Sequence, residues 1–152
     1  MFRAYRYAPD YPGFDGKDLT PGDPLELYTK PLPVPAGEDG TEPLTCARSP
    51  AGLRVFWDAG ACPAFDYNLI FGNLAEVATY TLQGSECGIG NVGSYQWGGV
   101  PARDLFFLVV GVDDTGVYES SWGSDSSGAE RNGMSPSNLC AVTTKDIGES
   151  CP

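Results

Sequence analysis

The chain of 152 residues contains no histidine. That absence removes the imidazole base of a Ser-His-Asp arrangement, and with it His-ligated copper or iron and c-type haem attachment. Basic residues are also scarce: nine Lys and Arg stand against 20 Asp and Glu, a formal net charge of -11. Such a field repels phosphate backbones and anionic lipid surfaces, and no Lys/Arg cluster overrides it locally, so nucleic acid is not an expected partner. No apolar run approaches the roughly 18 residues a membrane helix needs, so no membrane span is expected. The opening stretch MFRAYRYAPDYPGFDG has neither the apolar h-region nor the small-residue cleavage site of a secretory signal. Apolar residues nowhere keep helical spacing for more than about two turns.

What is present is turn chemistry and short alternating runs. The 20 glycines and 13 prolines cut the chain into pieces of strand length, and the expected class is all-β. Residues 1–43 hold eight of the prolines and almost no alternation, whereas the strand-like runs fill residues 44–142. We therefore expect an extended arm over 1–43, one β domain over 44–142 and a tail over 143–152. In the arm, Phe2, Tyr5, Tyr7, Tyr11 and Phe14 lie among charges and turn formers, too few to make a core of their own. Further along, PLELYTKPLPVP sets Leu25 and Leu27 against Glu26 and Tyr28, a pattern able to add a strand to an exposed sheet edge. Phe2, Tyr5, Tyr7, Tyr11, Phe14, Leu25 and Leu27 are the candidate partner-binding set, against the readings that the rings pack back on the domain and that PLELYTKPLPVP runs as polyproline II; the partner would be protein, self-association being the simplest form.

Within the domain, LTCARS, GLRVFWD, FDYNLIFG, EVATYTLQ, GSYQWGG and DLFFLVVGVDD read as successive strands, and ESSW begins a last one. The run DLFFLVVGVDD is apolar on both faces and predicts a central strand. About seven short strands joined by Gly, Pro and Asp turns predict a Greek-key β-sandwich, with Trp57 as core plug. The segment GSDSSG, residues 123–128, resembles a serine-nucleophile loop, but no histidine serves it. Lys17, Lys30 and Lys145 sit in polar or Pro/Gly-rich sequence that does not predict the desolvated ammonium of a Ser-Lys dyad. No catalytic residue is expected. Asp113, Asp114 and Asp125, with Glu119, are the weak candidates for calcium, against the reading that they form turns, and no other cofactor is expected. Tyr95, Trp97 and Trp122 could form a sugar-stacking platform or pack inward.

Residues 44–142 resemble a divergent fibronectin type III domain. The resemblance is carried by GLRVFWDAGAC with its Trp57, by FDYNLIFGNL, and by DLFFLVVGVDDTGVYESSWGSDSSGAER. It is similar more narrowly to modules at the C-terminal ends of secreted bacterial proteins. It departs from the family at Phe106 and Phe107, where a tyrosine commonly ties down the adjoining corner. Five cysteines leave at least one unpaired within the chain. The resemblance favours joining Cys62 to Cys87. Cys46 with Cys140 competes with Cys140 and Cys151, and Cys151 is the candidate odd thiol; no Cys-x-x-Cys pair supports zinc. The sequence therefore leads to a non-catalytic, extracellular or cell-surface structural module of an Ig-like/fibronectin type III sandwich. It would be a subunit of a surface or filamentous assembly, with a carbohydrate-binding accessory module as the alternative.

Overall fold

A computed structural model of the chain describes residues 44–148. The described chain is all-β. Its strands are β1 (Thr45–Ser49), β2 (Gly52–Phe56), β3 (Asp66–Asn73), β4 (Leu82–Glu86), β5 (Ser94–Trp97), β6 (Leu105–Val112), β7 (Tyr118–Glu119) and β8 (Thr144–Lys145). They form a three-stranded sheet in the order β1-β2-β5 and a five-stranded sheet in the order β4-β3-β6-β7-β8.

In the small sheet, β1 and β2 make a hairpin whose two-residue turn is Pro50–Ala51, closed by Ser49 opposite Gly52. Gly52 has φ +121°, and a Cβ there would lie 2.2 Å from the Trp97 carbonyl oxygen, so only glycine lets β2 pass so close to β5. In the large sheet, β3 and β6 pair over their whole length, from Asp66 opposite Val112 to Asn73 opposite Leu105. Side chains alternate between faces along these two strands. Tyr67, Leu69 and Val109 meet Val55, Trp57, Ile89 and Trp97 in the core between the sheets. Ring contacts cross that core: Trp57 to Tyr67 at 5.1 Å, Phe71 to Trp97 at 5.1 Å and Trp97 to Phe107 at 5.9 Å. Trp57 is buried as expected, one residue beyond the end of β2.

The opposite face of the large sheet is also covered. Ile70 and Val110 pack against Trp122, with Tyr80, Leu82, Leu108 and Leu139 around them. The cover is the irregular stretch 120–142, which runs beneath the sheet and is fastened by a disulfide from Cys87, just after β4, to Cys140. β6 is thus a central strand with apolar packing on both faces, as its composition predicts.

Three expectations are corrected. EVATYTLQ is not one strand: a 3₁₀ helix occupies Leu74–Thr79, with β4 beginning at Leu82. The Asn73 side chain accepts from the Ala75 N–H at its start, and Tyr80, at φ 51°, ends it by donating its N–H to the Val77 carbonyl. These local bonds prevail over the alternation of Val77, Thr79 and Thr81. ESSW is not a strand either; β7 stops at Glu119 and Trp122 turns under the sheet. Nor does the fold stop at 142, because β8 adds a parallel strand beside β7, with Lys145 opposite Glu119. The expected arm, 1–43, lies outside the described residues.

At the start of β3, the buried Tyr67 hydroxyl donates to the carbonyl of Cys62, five residues upstream. This ties the loop between the sheets in the manner of a tyrosine corner. Burial pushes the Tyr67 phenol from 10.0 up to about 12. Replacement of Tyr67 by Phe should cost about 1–2 kcal/mol near neutral pH, read from urea unfolding. Because the folded pKa is raised, the wild-type contribution is complete below pH 10 and is lost as pH rises through about 12. The two proteins should therefore converge in that range.

Candidate functional site

The densest chemistry lies beneath the large sheet, where β7, β8 and the 120–142 cover meet. Glu119 and Lys145 are neighbours in register on β7 and β8, and both are buried. Glu119 Oε1 accepts from the Trp122 indole N–H at 2.9 Å and the Ser137 N–H at 2.7 Å, while Oε2 accepts from the Ser137 hydroxyl at 2.6 Å. Lys145 Nζ lies 4.3 Å from the Trp122 ring centroid and donates to the carbonyls of Arg131 and Gly133. It also forms an ion pair of 2.7 Å with Glu130 Oε1. Glu130 in turn accepts from the Trp122 N–H at 2.7 Å and from the Ser121 hydroxyl. Arg131 donates to the Trp122 carbonyl at 2.9 Å.

This corrects the reading of Lys145 as a solvated residue of a polar tail. Desolvation lowers the Lys145 pKa, opposed by its bond to Glu130 and by the charges of Glu130 and Glu119. Desolvation raises that of Glu119, opposed by the Ser137 and Trp122 donors and by Lys145. A buried lysine of lowered pKa can act as a nucleophile, but three acceptors already take the Nζ donors and none is a serine. The cluster works as a set of hubs that satisfy the backbone and indole groups of an irregular layer.

GSDSSG is closed in the same way. Asp125 accepts from the Ser127 N–H and hydroxyl at 2.8 and 2.6 Å and from the Ala129 N–H at 3.1 Å. Those bonds, the Ser127 hydroxyl first, lower its pKa. Ser124 bridges to Glu130. Asp113 likewise accepts from the Thr115 hydroxyl and from the N–H groups of Val117 and Tyr118, and Asp114 is exposed beside it. Of the candidate calcium carboxylates, Asp113 and Asp125 therefore close turns and Glu119 belongs to the buried cluster, and the described residues hold no group of three or more such side chains placed to bind a metal.

The aromatic platform does not form. Trp97 and Trp122 are 1% and 4% exposed, the former donating its indole N–H to Glu86 at 3.1 Å, and Tyr95 bonds the same carboxylate. The inward reading holds for both tryptophans.

The cysteine pairing differs from that implied by the resemblance. Cys87 joins Cys140, not Cys62, because Cys140 lies in the cover on the far side of the large sheet, where the chain emerges from β4. Cys62 is itself disulfide-bonded. Cys46, expected opposite Cys140, is a free, exposed thiol on β1. Cys151 and all seven partner-binding candidates, Phe2, Tyr5, Tyr7, Tyr11, Phe14, Leu25 and Leu27, lie outside the described residues.

Among the described residues two strand edges are open. β1 is the outer strand of the small sheet, and Thr45 through Arg48 are exposed. In the large sheet, β7 covers only the last part of β6, with Val112 opposite Glu119. Sequence reading missed this gap because ESSW promises a longer strand. No helix among the described residues is long and apolar enough to cross a membrane. Comparison with protein-family models, with curated proteins and with solved structures found no match.

Two substitutions separate the role of the hubs. Lys145→Met leaves the buried Glu119 and the half-buried Glu130 without their counter-charge and should cost about 3 kcal/mol, whereas Glu119→Gln keeps an acceptor for the Trp122 and Ser137 N–H groups, turns a new amide donor to the Ser137 hydroxyl and should cost about 1 kcal/mol. Chemical denaturation reads both, and equal losses would contradict the hub assignment. Removing Cys87 and Cys140 together opens a 53-residue span and should cost about 4 kcal/mol in the same measurement.

Proposed function

We propose that the chain is a non-catalytic extracellular module of fibronectin type III kind. It serves as a subunit of a surface or filamentous assembly, and its N-terminal arm docks on a neighbouring copy. The observation that carries this reading is the junction at Leu44. An arm carrying Phe2, Tyr5, Tyr7, Tyr11, Phe14, Leu25 and Leu27 enters the fold beside the exposed edge strand β1. Aromatic side chains in a stretch that cannot form its own core are suited to anchoring on another protein.

The strand order supports the sandwich type. β1, β2 and β5 on one sheet and β3, β6 and β7 on the other follow the A, B, E and C, F, G arrangement of immunoglobulin-type sandwiches, with β4 beside β3. The Cys87–Cys140 disulfide supports an oxidising, extracellular setting. With Trp97 and Trp122 in the interior, no observation favours the carbohydrate-binding alternative.

Head-to-tail docking of an arm makes fibres when the rotation between copies does not close. Deleting residues 1–43 should leave a folded monomer, measured by light scattering and circular dichroism, while the full chain assembles with rising concentration. A truncated protein that forms the same oligomer as the full chain would sink the proposal.

A further inference from the structure

The edge of β6 left bare by the short β7 has a defined hydrogen-bonding pattern. Ser120 donates its N–H to the Gly111 carbonyl at 2.9 Å, and its hydroxyl accepts from the Gly111 N–H at 3.0 Å. On the other side, the Asp104 carbonyl accepts from the Leu74 N–H. Backbone groups of an antiparallel strand alternate in direction, so even-numbered residues of β6 serve β3 and odd-numbered ones face outward. Beyond Gly111, those outward residues are Val109, Phe107 and Leu105, and among the described residues no strand lies against them. The cause is the path of the chain: after Ser120 it turns beneath the sheet to bring Trp122 against Ile70 and Val110.

The side chains there match the backbone. Leu105 and Phe107 point toward the small sheet and pack at the margin of the inter-sheet core, only half-buried. Cys46, opposite the buried Val55 in register, lies on the same inward side of β1 yet is exposed. The sandwich is therefore open along one side, between β1 and β6.

We infer that this open edge of β6, from Leu105 to Val109, is the seat for residues 25–29 of a neighbouring copy, added as a strand. The inference rests on the arm reading proposed above. Leu25–Thr29 matches the five residues of bare edge, and the prolines that cannot join a ladder, Pro24 and Pro31, bracket it. Leu25 and Leu27 share one face of such a strand and, run antiparallel, would sit beside Val109 and Phe107 at the margin of the inter-sheet core, which closes it laterally.

Chain direction favours a neighbour over the same copy. Thr45 pairs with Phe56, and Trp57 touches Tyr67, which is opposite Gly111; Leu44 thus enters at the end of the sandwich where β6 finishes. A strand antiparallel to β6 leaves it at Leu105, the far end. In the same copy residues 30–43 would have to double back along the length of β6, through a sequence whose Pro31, Pro33 and Pro35 favour extended backbone. Arriving from another copy, it needs no reversal.

Residue-resolved amide hydrogen exchange of the full chain, over a concentration series, tests this. The Leu105, Phe107 and Val109 amides should exchange freely in dilute monomer and slow on the order of a hundredfold on assembly. Full-length Leu27→Pro, altered outside the described core, should neither assemble nor protect them. Protection already present in dilute monomer would place the strand in its own copy and overturn the inference. So would protection that survives Leu27→Pro, since another segment would then hold the edge. Assembly with the three amides still open would overturn this seat but leave the arm reading standing. Failure to assemble at any concentration would overturn the arm reading itself.

Discussion

The fold depends on the pairing of β3 with β6. Their eight residue pairs make a ribbon with apolar side chains on both faces, one packed by the small sheet and the other by the 120–142 stretch, while β4, β7 and β8 extend its edges. A ribbon of this kind has no water-facing side, so it is stable only when two separate layers are supplied. The small sheet supplies one, with an inter-sheet core of aromatic and β-branched residues. The stretch 120–142 supplies the other without regular structure of its own.

An irregular layer over an apolar sheet raises the question of where its backbone hydrogen bonds go. Much of the answer is a few charged side chains, each serving several groups. Glu119 gathers an indole N–H, a backbone N–H and a hydroxyl; Lys145 gathers two carbonyls and the Glu130 carboxylate. The pair is costly to desolvate, and its value lies less in net stability than in specifying one path for the chain. The same economy appears at Asp113 and Asp125, whose carboxylates close turns at the edges of the layer.

Much of the strand content was legible because alternation and turn residues coincide with the strands that form. Leu53, Val55 and Trp57 face one way, Tyr67 and Leu69 likewise, and the double-sided apolar character of β6 is visible in LFFLVVGV. The errors have physical sources. A cap at Asn73 and a left-handed Tyr80 converted an alternating run into a 3₁₀ turn, and neither residue announces this through periodicity. Lys145, between Thr144 and Asp146, looks solvated in sequence because its carboxylate and carbonyl partners come from residues 130–133, across the 3D fold. The disulfide could not be read from spacing at all, since it depends on which side of the large sheet the cover takes. The stretch 1–43, where the candidate partner-binding residues concentrate, stands out in sequence only by what it lacks, the apolar groups for a core.

The route of the chain at Trp122 also imposes an order on folding. During synthesis, β3, β4 and β6 emerge before Trp122, Leu139 and Cys140 do. For that interval Ile70 and Val110 can bury only one side of their ribbon, and Cys87 waits as a thiol for a partner 53 residues downstream. The small sheet can close first, which makes the covering of the second face a late event, sealed by oxidation rather than by strand pairing. A pause or nick between β7 and β8 would leave a half-clad sheet of the kind that chaperones recognise, so the surveillance of this protein during its maturation should focus on that single interval.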